Sequence, residues 1–189
     1  MTKMRAGVAC QPPGTYAPKS VRVDSPAIEA MTDLRQVATA TISADATLAQ
    51  ANQAMIARGV RLLLVVGHNR IIEGLITARD TMGERPVKLL RERGGKHREL
   101  TVADLMVPRS AIDVLDIATV RRAEVGHIIA TLKELGRQHA LVVDKDPLTG
   151  QETVRGIFSA TQIGRQLGVP VVTFEVARTF AEIEAELAK

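Results

Sequence analysis

Aromatic residues are almost missing from this 189-residue chain, which has no tryptophan, one tyrosine and three phenylalanines. Hydrophobic residues nevertheless make up 46%, so a buried core is expected and must be packed from Val, Ile, Leu, Ala and Met. The same scarcity removes the stacking surfaces on which single-stranded nucleic acids are held. Cys10 is the only cysteine, which excludes an intrachain disulfide and a cysteine-based zinc site. No apolar run approaches the roughly 18 residues that a membrane-spanning helix needs. Two early cations precede no continuous apolar stretch, so a signal peptide is not indicated. A cytoplasmic protein with no membrane partner is the expectation.

Charge is likewise without a strong bias. The formal net charge is +4, and acidic and basic residues interleave along the chain. The densest basic stretch, Lys88 to Arg98, is broken by Glu92, a pattern that argues against a dedicated nucleic-acid surface. His68, His97, His127 and His139 fall in different segments without metal-ligand spacing, and no metal site is expected. The glycines near Gly94 lack both the preceding strand and the following Lys-Ser/Thr of a phosphate-binding loop. No nucleophile–base arrangement is visible, and Asp113 and Asp116 read as turn or capping residues. No catalytic residues are assigned, and the chain is not read as an enzyme.

What is present is a repeat. From Thr47, Leu48, Ala51, Met55 and Ile56 lie at helical spacing, Gly59 stops the helix, and Leu62 to Val66 form an apolar strand. From Glu124 the plan recurs: Val125, Ile128, Ile129 and Leu132 form the stripe, Gly136 stops it, and Ala140 to Val143 make the strand. Each strand is followed by a turn, a second apolar strand and a second helix. The turn is Gly67 to Arg70 in the first copy, leading into Ile71 to Ile76. In the second it is longer, Asp144 to Glu152, leading into Val154 to Phe158. Initial strands are expected near Ala38 to Ile42 and Ala111 to Val114. Met55, Met82 and Met106 read as core filler.

The expected boundaries are an extended N-terminal arm over 1–26, where four of the eight prolines fall, and repeats over 27–85 and 100–170. A linker over 86–99, with a short helix around Val87 to Arg91, separates them. Val176, Phe180, Ile183 and Leu187 predict an amphipathic C-terminal helix over 171–189. The fold class is α/β, built as two tandem β-α-β-β-α repeats. One copy alone would expose a sheet face, so two copies packed together are expected.

Chemistry concentrates where the second strand of each copy runs into a helix: Gly74-Leu-Ile-Thr77-Ala-Arg-Asp80 and Gly156-Ile-Phe-Ser159-Ala-Thr-Gln162. Thr-x-x-Asp and Ser-x-x-Gln are capping-box patterns, worth about 1 kcal/mol to any helix. The same positions suit a ligand. A helix N-terminus attracts phosphate, a carboxylate there can accept from ribose hydroxyls, and glycine on the strand permits close approach of a ligand or another backbone. Both readings stand, because a residue can cap in the empty state and turn to a ligand when one arrives.

The pattern Gly-hydrophobic-x-(Thr/Ser)-x-x-Asp, closing a β-α-β-β unit that occurs twice, resembles the cystathionine-β-synthase (CBS) domain pair. Thr101-Val-Ala-Asp-Leu-Met-Val-Pro108 is similar to the opening of such a domain, and the resemblance covers about residues 28 to 170. It implies a stand-alone pseudo-two-fold module with two clefts between the repeats, where AMP, ADP, ATP or S-adenosylmethionine commonly binds as a regulatory ligand and not as a catalytic cofactor. By this analogy Thr77 and Asp80 match phosphate- and ribose-binding positions, with Gly74 before them and Arg79 beside them. Val60, Arg61, Leu62 and Thr41 would flank the base. In the second copy the matching positions are Ser159, Gln138, His139, Ala140 and Ile112, while Gln162 replaces the family aspartate. An amide is neutral and cannot accept with two oxygens, so the second site is expected to be weak, empty or differently selective. The resemblance implies a homodimer, formed through helical faces, that senses adenine nucleotides and signals to an effector protein. The alternatives are a structural or interaction module without nucleotide binding, and a nucleic-acid binder using the basic linker.

Overall fold

The computed structural model describes residues 19–145 and 150–173. Most of the expected N-terminal arm, the core of the long second-copy turn and most of the expected C-terminal helix lie outside the described residues. The chain divides into two compact units. One contains Thr32–Leu115 and Leu141–Gly156; the other contains the stretch up to Met31, Asp116–Ala140 and the stretch from Ile157.

Each copy supplies one four-stranded sheet with the same strand order. The first sheet contains β2 (Thr41–Ile42), β3 (Leu62–Val66), β4 (Ile72–Thr77) and β5 (Val107–Pro108), in that order. β2 runs parallel to β3, whereas β3–β4 and β4–β5 are antiparallel. The second sheet contains β1 (Thr32–Asp33), β8 (Glu152–Ser159), β7 (His139–Lys145) and β6 (Val114–Asp116). Each sheet therefore takes its outer strand from the residues that open the other copy: β5 lies near the start of the second repeat and β1 near the start of the first. The isolated pairings Thr47↔Thr101 and Pro26↔Glu124 repeat this exchange. Sequence periodicity describes helices and strands one at a time and carries no sign of it.

Local signals explain most of the elements. In the first copy α1 (Leu48–Arg58) opens on a Thr47–Gln50 capping box and ends at Gly59, whose φ of 63° is the left-handed conformation that glycine adopts without penalty. Leu48, Ala51 and Met55 bury one face against Leu63 and Val65 of β3 and Ile76 of β4. Leu100 and α4 (Val102–Leu105) complete that cluster, with Leu105 and Val102 buried. This core is aliphatic, as the composition requires. In the second copy α5 (Ile117–Val120) is capped by Asp116, whose carboxylate accepts from the Ala118 N–H at 2.7 Å. It is followed by α6 (Val125–Glu134) and α7 (Ala160–Leu167), which pack against each other and against the 3-10 turn Ala27–Ala30. Val125, Ile128, Leu132 and Ile163 are buried here, and so is Phe158, an aromatic exception to the aliphatic expectation.

Several expectations need correction. Ile56 is 81% exposed and Met82 70% exposed. Only three residues of the α1 stripe turn inward, and Met82 lies at the last position of the five-residue helix α2 (Ala78–Met82). The linker is mainly helical: α3 runs Glu84–Arg93, twice the expected length, and buries Pro86. The second initial strand begins at Val114 instead of Ala111. The Ile112 N–H donates to the Arg109 carbonyl at 3.2 Å, so Arg109–Ala111 form a 3-10 turn. The described end of the expected arm joins the second copy. The Val21 N–H donates to Gln166, Val125 donates to Ser25, and Gly126 donates to Val23.

Candidate functional site at the strand-to-helix junctions

In the first copy β4 ends at Thr77 and α2 begins at the next residue. Thr77 lies opposite Leu62 in the β3–β4 register, and the Ala78 N–H donates to the Arg61 carbonyl at 3.0 Å. These bonds gather Arg61, Leu62, Thr77, Arg79 and Asp80 at one end of the sheet. Thr41 joins them on the next strand, opposite Leu64. Leu62 is buried, Thr41 and Thr77 are half-buried, and Arg61 and Arg79 are exposed. Val60 is half-buried and packs against the aliphatic core, its N–H bonded to the Met55 carbonyl.

Asp80 is the buried polar group of this cluster, at 8% exposure. One carboxylate oxygen, Oδ2, accepts from the Thr77 backbone N–H at 2.9 Å and from the Thr77 hydroxyl at 2.6 Å. The other, Oδ1, accepts from the guanidinium of Arg85 in α3. The capping box that the sequence pattern predicts is thus formed. The Thr81 hydroxyl bonds Asn52 of α1, tying α2 to the first helix. Arg85 and Asn52 were not legible as members of this cluster. A four-residue capping pattern stops at Asp80, and Arg85 reaches back from a different helix.

Gly74 has another explanation. A Cβ there would lie 2.5 Å from the Val107 carbonyl oxygen and 3.1 Å from the Met106 sulfur. Of the two close approaches that glycine could serve, the one observed is by backbone: strand β5.

The second copy repeats the tie but not the carboxylate. The Ala160 N–H donates to the Gln138 carbonyl at 2.9 Å, the counterpart of the Ala78–Arg61 bond. Ser159 precedes α7 without a side-chain capping bond, and Gln162 is half-buried in the first turn. The Gln138 side chain donates to the hydroxyl of buried Thr173 at 2.6 Å. His139 and Ala140 open β7 half-buried, and Ile112 sits on the turn before β6. Among the described residues no group of three or more His, Cys, Asp or Glu side chains could hold a metal, and no helix is long and apolar enough to cross a membrane.

Residues 27–85 match the family model described as CBS domain. Solved structures share the fold at low identity. CBSX2 in complex with AMP is 21% identical, with a TM-score of 0.51, over 75% of this chain and 94% of that one. The CBS-domain containing protein ATU1752 from Agrobacterium tumefaciens is 15% identical, with a TM-score of 0.52, over 72% and 93%. The CBS domain of the bacterial CNNM/CorC family Mg2+ transporter in complex with ATP is 17% identical, with a TM-score of 0.52, over 79% and 91%. No curated protein matches the sequence. The repeated β-α-β-β-α plan, the two sheets of like order and the matched first repeat define the class as mixed α/β with tandem repeats. Residues 27–85 match a CBS domain, and the fold of the described residues is the one shared by these solved CBS-domain structures.

Proposed function

We propose that this chain is a regulatory module that binds an adenosine-containing ligand at the Thr77–Asp80 junction of its first copy and passes the ligand state to an effector protein. The observation that carries this reading is the nearly buried Asp80 carboxylate, held by Thr77 at a helix start beside the exposed cations Arg61 and Arg79. A carboxylate suits ribose hydroxyls, and a helix start flanked by cations suits phosphate. The AMP and ATP held by CBSX2 and by the CNNM/CorC domain support an adenine nucleotide over other ligand classes. S-adenosylmethionine shares the adenosine half and belongs in the same test. Thr41, Val60, Leu62 and Arg79 complete the proposed first site. Ser159, Gln138, His139, Ala140, Ile112 and Gln162 form its weaker counterpart. The module is read as a cytoplasmic, non-catalytic homodimer that reports on adenine-nucleotide levels. The signal would pass through a difference in ligand affinity between two arrangements of the chain.

A second reading, an interaction module that binds no nucleotide, is favoured by one specific observation: both Asp80 oxygens already have partners within the chain. A thermal-shift panel with AMP, ADP, ATP, S-adenosylmethionine and NAD on wild type and Asp80→Ala separates the two. A ligand at about 100 times its Kd should stabilise the fold by about 2.7 kcal/mol. A shift in wild type that disappears in folded Asp80→Ala is the expected result. No shift with any ligand, in protein shown to be folded and ligand-free, would overturn the sensor reading.

A further inference from the structure

Arg85 occupies the oxygen of Asp80 that Thr77 leaves open. Thr77 takes Oδ2 with two donors, and the Arg85 guanidinium takes Oδ1. The two partners differ in how firmly they are placed. Thr77 is fixed by the β3–β4 register and donates from its backbone. Arg85 reaches in from the first turn of α3, beyond Gly83, and its side chain is 50% exposed against 12% for that of Asp80. Oδ1 is therefore covered by a group that can leave into water without disturbing the strand or α2. Two ribose hydroxyls approaching this carboxylate need Oδ1, because Oδ2 already accepts from two donors.

We infer that Arg85 is an internal antagonist of the adenosine site: it competes with the ribose for Asp80 and thereby sets ligand affinity. The inference rests on the sensor reading of the Thr77–Asp80 junction. It also assigns a function to α3, which connects the two repeats: ligand binding frees Arg85 and releases the first turn of α3 from the site. The chemistry favours competition at the carboxylate over service to the phosphate, since the guanidinium is already paired with the group that the ribose requires. A half-exposed ion pair of this kind opposes its competitor by only a small factor, about two- to fivefold.

The test is calorimetric titration of wild type, Arg85→Ala, Arg85→Lys and Asp80→Ala with adenosine and, separately, AMP, folding being checked by circular dichroism. Arg85→Ala should bind both ligands about two- to fivefold more tightly, because the ribose is common to them. Arg85→Lys should fall between, since lysine keeps the charge and loses the planar fork. Weaker AMP binding with adenosine unchanged would overturn the inference and make Arg85 a phosphate ligand. Unchanged affinity for both in Arg85→Ala, with binding still lost in Asp80→Ala, would overturn the inference alone. Absence of binding in wild type and in Arg85→Ala would overturn the sensor reading beneath it.

Discussion

At Asp33 the Arg155 guanidinium donates to the carboxylate and holds its pKa below the ordinary aspartate value, helped by the Arg35 N–H. At Asp104 the Thr101 backbone N–H has the largest lowering effect, followed by the Thr101 hydroxyl and Arg93. Burial opposes both shifts without reversing them. The sign follows from proton binding: in the window between the folded and unfolded values the unfolded chain holds more protons, so stability rises with pH there. These contributions are fully present above the unfolded value, about 3.9 for aspartate, and are lost as pH falls through the lowered folded values. Tm measured from about pH 6 down to about pH 2.5 should fall less steeply in Asp33→Asn with Asp104→Asn than in wild type. Identical slopes would mean that these pairs add nothing to acid stability. The Thr101–Asp104 box spans four consecutive residues, whereas the Asp33–Arg155 pair joins positions far apart in sequence.

At the scale of the element, β4 shows how one residue serves two readings. Gly74 lies three residues before Thr77 and was read from the family pattern as part of the binding site. Its neighbours are the Val107 carbonyl and the Met106 sulfur. A methyl group cannot fit 2.5 Å from a backbone oxygen unless β4 and β5 separate. Gly74→Ala should therefore cost about 1–3 kcal/mol and lower Tm by several degrees without any ligand present. A variant with wild-type Tm and weakened nucleotide binding would return Gly74 to the ligand. The α2–α3 boundary teaches a related lesson. Pro86 reads as the opening of a linker, yet proline within the first turn of a helix loses no intrahelical bond. Pro86 duly sits buried at the third position of α3, and that placement brings Arg85 to Asp80.

For the whole molecule the central issue is asymmetry between like parts. Both copies tie the helix after their second strand to the residue before their first hairpin strand, through Ala78–Arg61 and Ala160–Gln138. Only the first copy places a carboxylate behind that tie. Gln162 stands in its place in the second, and the Gln138 side chain is bonded to Thr173. If the proposed function holds, titration with AMP should give one ligand per chain, and Gln162→Asp should strengthen any second, weak phase. Two equal sites in wild type would show that a charged acceptor is dispensable at this position.

Sequence alone determined what depends on neighbouring residues. The α1 and α6 stripes, Gly59 as a helix stop, the β3 and β4 strands and the Thr77–Asp80 capping box all rest on interactions within a few positions. Their spacing therefore carries the information directly. The doubled plan was legible for the same reason, because each copy writes its own local signals. Tertiary structure alone decided which strand closes which sheet, that Ile56 and Met82 face water, and that Gly74 accommodates β5. It also decided that Arg85 meets the carboxylate on which the proposed function rests. Each of those outcomes depends on what lies across a gap in space, and a run of residues does not encode its partner on another element.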